Sequence, residues 1–228
     1  MSEPALEYDA YYHIYNRGNN SENLFREDRN YRHFLQLHAK YVGPIADTYA
    51  YCLLRNHFHV LVRIKTLEEQ EAHDQTLRVS TEGRTLRVFR LRNPSQQFGN
   101  LFNAYAKAVN KAYQRTGSLF ENPFRRIPVE SDVHLAQLVT YIHQNPQKHG
   151  FVDDFRLWPY SSYSAIASDK PTQVKRDDVQ AWFHGTEGFE AAHRQWVNER
   201  KIAPLLADDF DGGRSGATTQ TLRVSENP

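Results

Sequence analysis

Cysteine is nearly absent from this 228-residue sequence, where Cys52 stands alone. A single thiol forms no internal disulfide and no cysteine-based zinc cluster, which excludes a disulfide-stapled scaffold and agrees with a reducing compartment. Its plainest reading is a small buried thiol in a strand. Long hydrophobic runs are also missing. The apolar stretches span only a few residues, far short of the roughly 20 that a membrane-crossing helix needs. The N-terminal MSEPALEYDA has neither the basic start nor the apolar stretch of a signal peptide, so a cytoplasmic location is expected. Neither sign of charge dominates, the formal net charge being +1. With 39% hydrophobic residues, the chain suits one sizeable core and a smaller C-terminal addition.

The balanced charge hides an uneven distribution. Between Arg84 and Arg126 stand nine basic residues against one acid, Glu121, whereas from Asp153 onward acids outnumber bases by twelve to nine. A basic block attracts phosphates, and Phe102, Tyr105, Tyr113 and Phe120 interleave it with rings on which unpaired bases could stack. Aromatics at helical spacing equally serve a core. Lys107, Lys111 and Arg115, four apart, form one helical face that meets either a nucleic-acid backbone or water. Arg125 and Arg126 of the same block are further candidate DNA contacts, and Arg17, at a strand end, meets either a phosphate or base or only water.

Periodicity predicts the order of elements. Residues 11–17 (YYHIYNR) read as a strand ending at a Gly-Asn-Asn turn, and 29–41 as a helix stopped by Gly43-Pro44. Residues 45–54 and 57–64 read as two strands close enough for an antiparallel hairpin. Residues 96–115 predict a long helix and 123–130 a fourth strand. A helix capped by Ser131-Asp132 is then expected to run to about Gln144, where Asn145-Pro146 interrupts it. The βαββαβ order followed by a helix predicts an α+β fold: a ferredoxin-like split βαβ antiparallel sheet with helices on one face and the last helix packed elsewhere. The expected organisation is a domain over 8–166, an insertion loop at 66–94, a small helical C-terminal extension over 167–211 and a disordered tail at 212–228. QTLRVS occurs at 75–80 and again at 220–225, a repeat too short and irregular for a solenoid.

In the strand RNHFHVLVRI, side chains two apart share a face, so His57 and His59 project together while Phe58 and Val60 enter the opposite layer. Paired imidazoles make a metal half-site, although such pairs also occur as core or surface residues. Tyr141 and Asn145, in TYIHQNP, are four apart and share a helical face. If that helix packs beside the histidine strand, the Asn145 amide oxygen becomes a third ligand. Gln144 is its rival. Two histidines, a neutral oxygen and open positions suit magnesium or manganese bridging to a phosphate better than a closed zinc site.

The HFH strand, FNAYAKAVNKAYQRTGSLFENPFRR, and LVTYIHQNPQKHGFV followed by WPYSSY together resemble the single-tyrosine HUH transposases of insertion sequences, most closely their REP-associated tyrosine transposase branch. The resemblance spans about 11–166. It implies a catalytic domain that cuts and rejoins single-stranded DNA near short hairpins, with Tyr141 as nucleophile and His57, His59 and Asn145 holding a divalent metal, Mg or Mn. The implied intermediate is a 5′-phosphotyrosine. The long insertion at 66–94 departs from the family pattern and bears on local DNA contacts. Partners would be hairpins of palindromic repeat elements, met by a monomer or a homodimer, with no membrane involved. Two other classes compete with this metal-dependent tyrosine endonuclease and strand transferase. One is a noncatalytic, domesticated hairpin-binding domain using the basic block and the aromatics. The other is a metallohydrolase in which the histidines activate water, which lacks the extra carboxylate or histidine ligands it would need.

Overall fold

A computed structural model describes residues 5–79 and 91–206 and, of 74–79, the backbone alone. Its frame is a four-stranded antiparallel sheet of β1 (Tyr11–Arg17), β2 (Ala46–Leu53), β3 (His57–Ile64) and β4 (Arg125–Pro128), in the order β2-β3-β1-β4. This is the ferredoxin-like order that the βαββαβ pattern predicts. Between these strands run α1 (Asp28–Tyr41), α2 (Leu67–Val79) and α3 (Pro94–Ala112). After β4 come α4 (Asp132–Lys148), the short α5 (Tyr163–Ile166), α6 (Arg176–Trp182) and α7 (Thr186–His193).

The two faces of the sheet build two cores. Tyr12, Ile14, Phe58, Val60 and Val62 point towards α1 and α3, where Phe34 lies 5.1 Å from Phe58 and edge-on to Tyr105 at 5.2 Å. Each such ring taken from water contributes roughly 1.5–3 kcal/mol. On the other face, Ala50, Cys52 and Leu61 pack with Leu138, Val139 and Ile142 of α4 and with Val179 and Phe189 of α6 and α7. Cover on both sides leaves β3 buried at every position except Arg63, although His57, His59 and Arg63 alternate with its apolar residues. Edge strand β2 is covered in turn: Leu53 N–H donates to Tyr160 O, Ser162 N–H to Tyr51 O and Lys175 N–H to Thr48 O, each at 2.9 Å. These contacts blunt an edge that would otherwise offer itself to another chain.

The insertion expected as a loop carries α2, whose start is tied to the sheet by Arg63, 2.6 Å from Glu69 and 3.1 Å from Asp47. Residues 80–90, and the expected tail at 212–228, lie outside the described residues. Also different is the end of α4, which runs through Pro146 to Lys148. A proline there lacks only the N–H that would reach back to residue 142, and a last turn tolerates that loss better than a helix interior. His149 N–H caps the helix on Asn145 O at 2.9 Å. Tyr141, Asn145 and His149 therefore stay in one row, four residues apart.

Candidate active site

Strand register assembles the centre. Tyr15 of β1 lies opposite His59, Arg17 opposite His57, and Arg125 of β4 opposite Tyr15. Directly paired residues share a face, so a row of side chains, Cys52, His59, Tyr15 and Arg125, crosses the sheet beneath α4. From above, the helix supplies Tyr141, its ring 5.8 Å from that of His59 and edge-on to it, while His149 lies 5.0 Å from His57. Asn145 sits one turn from each. The two strand histidines, the tyrosine and the asparagine are thus brought together as the sequence predicts.

Hydrogen bonds orient these groups. Asn145 Nδ2 donates to Tyr141 O at 2.9 Å. A carbonyl only accepts, so this bond settles which end of the amide is nitrogen. The opposite atom, Asn145 Oδ1, is buried with no hydrogen-bond partner among the described residues. Such an orphan costs about 1–3 kcal/mol, and a cation would relieve it. His57 Nδ1 lies 2.8 Å from Asn56 Oδ1 and His59 Nδ1 lies 3.0 Å from His13 Nε2. Burial holds His59 well below the ordinary imidazole pKa, and the basic side chains around it, Lys148 and Arg17 among them, push it the same way. It is therefore neutral at pH 7, the form that binds metals. The donor set fits a divalent ion taking imidazole nitrogen and amide oxygen. No group of three His, Cys, Asp or Glu among the described residues makes a rival metal site.

Gln144, the other candidate ligand, is engaged elsewhere. Its Nε2 donates to Gln195 O at 2.7 Å and to His193 O at 3.3 Å, and its Oε1 accepts from Val197 N–H at 3.1 Å. It fastens the chain after α7 to α4, and the structure sets it aside as a ligand.

The candidate DNA contacts divide. Arg17 and Arg125 flank the histidine row, on the face that carries Tyr141. Lys107 and Lys111 are exposed on α3, which packs on the opposite face of the sheet. Arg115 is spent internally, 2.6 Å from Asn110 Oδ1 and 2.8 Å from Glu22. Arg126 donates to Ser95 Oγ at 2.8 Å and lies over the Phe124 ring. Of the four candidate stacking rings, Phe102, Tyr105 and Phe120 are core, and the Tyr113 hydroxyl donates to Glu27 at 2.7 Å. Sequence spacing assigns no role to four neighbours of the centre: His13, Tyr15, His149 and Lys148. The Lys148 ammonium lies 4.9 Å from the centre of the Tyr141 ring and is paired at 2.8 Å with Glu199. The period of two along β1 marked His13 and Tyr15 as sharing the face of Arg17.

No protein-family model matches this sequence. Over 119 residues the chain is 28% identical to a protein of Haemophilus influenzae that bears the provisional name REP-associated tyrosine transposase. The match covers 51% of this chain and spans 58% of that relative's length. Among solved structures, that of a REP-associated tyrosine transposase bound to a REP hairpin superposes with a TM-score of 0.53 at 16% identity, over 75% of this chain and 89% of the other. The fold is therefore shared with that protein. The sequence resemblance and the structural one point to the same group.

Proposed function

We propose that this chain is a transposase-like DNA transesterase, which cuts and rejoins single-stranded DNA beside short hairpins through a covalent link to Tyr141. The observation that carries this reading is the meeting of Tyr141, His57, His59 and the unpartnered Asn145 oxygen under one helix. A bare HFH strand or one tyrosine among 13 would not suffice. The similarity to a REP-associated tyrosine transposase and the shared fold of a hairpin-bound one support it.

The chemistry follows from the groups present. A phenol with an ordinary pKa near 10 is a weak nucleophile at pH 7. His57, His59 and Asn145 would hold a divalent metal, Mg or Mn, which when bound polarises the scissile phosphate and neutralises charge developing on its oxygens. Arg17, Arg125 and Lys148 add positive potential where the phosphodiester must lie. The Tyr141 oxygen forms a bond to phosphorus as the bond from phosphorus to the 3′ oxygen breaks. The phenolic proton passes to solvent and the departing oxygen takes one up. The product is a 5′-phosphotyrosine with a free 3′-hydroxyl. A phosphodiester replaces a phosphodiester, so another 3′-hydroxyl can reverse the step and join a different strand without an external energy source.

Tyr141 is only 2% exposed, so little of its side chain is open to a phosphate. That burial favours a second reading, a noncatalytic hairpin-binding domain on the same scaffold. No described helix is long and apolar enough to cross a membrane. We infer a cytoplasmic protein.

Covalent capture separates the readings. Single-stranded hairpin oligonucleotides labelled downstream of the hairpin are incubated with wild type and Tyr141→Phe in manganese or magnesium, then resolved on a denaturing gel. A protein-linked label in wild type and none in Tyr141→Phe is expected. Free ends released by both proteins without an adduct would make water the nucleophile, and hairpin binding without cutting would support the binding module.

A further inference from the structure

His13 lies in β1 with no exposed surface, stacked on His59 at 5.1 Å between ring centres. Its Nδ1 is 2.8 Å from Leu205 O, a residue 192 positions away in the segment after α7. Its Nε2 is 3.0 Å from His59 Nδ1. The direction of this chain can be derived. A peptide carbonyl only accepts, so His13 carries its proton on Nδ1. A neutral ring has one proton, which leaves the His13 Nε2 lone pair facing His59. For the 3.0 Å contact to be a hydrogen bond, His59 must donate from Nδ1. The His59 lone pair is then on Nε2.

The same logic fixes His57, whose Nδ1 faces the amide oxygen of its neighbour Asn56 at 2.8 Å. Both strand histidines therefore keep the proton on Nδ1 and direct Nε2 away from it. They are held by different means. His57 is fixed within its own hairpin, while His59 is fixed through His13 by a carbonyl near the far end of the described chain. Partners of this kind, donor or acceptor to the nitrogen that does not bind the ion, set the tautomer and ring angle of metal-binding histidines.

We propose that His13 is a positioning residue of the metal site, which locks His59 in its Nδ1–H tautomer so that Nε2 meets the ion, with Leu205 O locking His13 in turn. The proposal rests on the reading of His57, His59 and Asn145 as metal-binding. It assigns a function to a buried polar group that packing alone would not select, since a leucine or phenylalanine would fill the same space without needing a partner.

The tautomer can be read without metal. Long-range ¹H–¹⁵N correlation spectra of the imidazoles in the metal-free wild type, with His59 assigned through His59→Gln, should show His59 protonated on Nδ1. Manganese binding is followed in parallel by the electron paramagnetic resonance signal of the free ion. In His13→Phe the His59 proton is expected to redistribute towards Nε2 and manganese affinity to fall about ten- to a hundredfold. In His13→Gln, whose side-chain oxygen can accept from His59 Nδ1, tautomer and affinity should stay near wild type. Should His13→Phe fail to fold, which circular dichroism reveals, the wild-type tautomer and His13→Gln decide. An Nε2–H tautomer at His59, a doubly protonated His13, or a tautomer and affinity unmoved in a folded His13→Phe would each overturn the proposal. Absence of manganese binding in wild type with the expected tautomer would instead sink the metal reading and the role built on it. Binding with the wrong tautomer would sink the positioning role alone.

Discussion

Asn145 shows how a single residue can be stable in position yet incomplete. Its nitrogen is satisfied by Tyr141 O, and its oxygen is buried and unpartnered. Replacement by leucine removes both the orphan and the hydrogen bond, two effects of opposite sign and similar size. Asn145→Leu should therefore change the metal-free unfolding free energy by no more than about 1 kcal/mol, as urea titration would show. The difference should emerge with metal. At manganese a hundredfold above its dissociation constant, wild type should gain about 2.7 kcal/mol and melt higher, while Asn145→Leu gains little. Equal stabilisation of both proteins would remove the amide oxygen from the ligand set. At this scale much was legible from spacing: period two placed His57 with His59, and period 3.6 placed Tyr141 with Asn145. His13 was not legible. It shares a face with Tyr15 and Arg17 by the same period, but its contact with His59 depends on the register between β1 and β3 and on where Leu205 comes to rest.

The elements hold two lessons about charge and backbone. The basic block pointed to a helical DNA-binding face on α3, but packing spends part of it: Arg115 braces the turn after α3 and Arg126 pins the start of that helix to β4. One sequence cannot distinguish a structural arginine from a phosphate contact, because both sit at exposed helical or strand-end spacing. Arg17 and Arg125 instead lie beside the histidine row. Arg17→Ala and Arg125→Ala should each weaken hairpin binding and lower the magnitude of the salt slope by about one, measured by anisotropy from low to physiological salt. Lys107→Ala should change that slope less, since α3 lies across the sheet. An unchanged slope in Arg17→Ala would place the DNA path elsewhere. The turn that follows Arg17 is equally constrained. A Cβ on Gly18 would stand 2.0 Å from Glu22 O, and backbone cannot yield as a flexible side chain can. Gly18→Ala should destabilise the protein by about 1–3 kcal/mol, read as a lower urea midpoint. The hydrophobic and turn patterns revealed each of the four strands among the described residues. They missed the continuation of α4 past Pro146, because the cost of a proline depends on how many helical hydrogen bonds remain beyond it.

Across the whole molecule, buried neutral histidines set the response to acid. Burial lowers His38 and His193 from the ordinary value near 6.5 to about 4, the Phe189 O bond opposing it at His193. Burial also holds His59 and His143 well below that value. His143 and His193 face each other at 2.9 Å and join α4 to α7, while His59 lies under α4, so three of the four sit in the core shared with the C-terminal helices. The folded pKa is depressed, so the unfolded chain binds protons that the native state refuses. Stability is fully present above about pH 6.5 and falls as pH drops towards 4, by up to about 1.4 kcal/mol per pH unit for each histidine in its window. Carboxylates such as Glu69, which Arg63 and the Thr66 backbone hold low against the effect of burial, act in the same direction only below about pH 4.5. A decline that begins near pH 6.5 therefore belongs to the histidines. Urea midpoints followed by tryptophan fluorescence, Trp182 being stacked on Tyr49 at 5.1 Å, should be flat from pH 8 to 7 and fall steadily from about 6.5 to 5. His38→Phe isolates one contribution. The His38 Nε2 is buried with no hydrogen-bond partner among the described residues, beside a cavity of about 230 Å³ lined by Phe34, Leu35 and Tyr51. Phenylalanine should be tolerated there and should reduce the acid slope by about one histidine's share. A midpoint that stays level down to pH 5 in wild type would mean that these rings find protons or water in the folded state, and that the core around α4 is more open than its packing indicates.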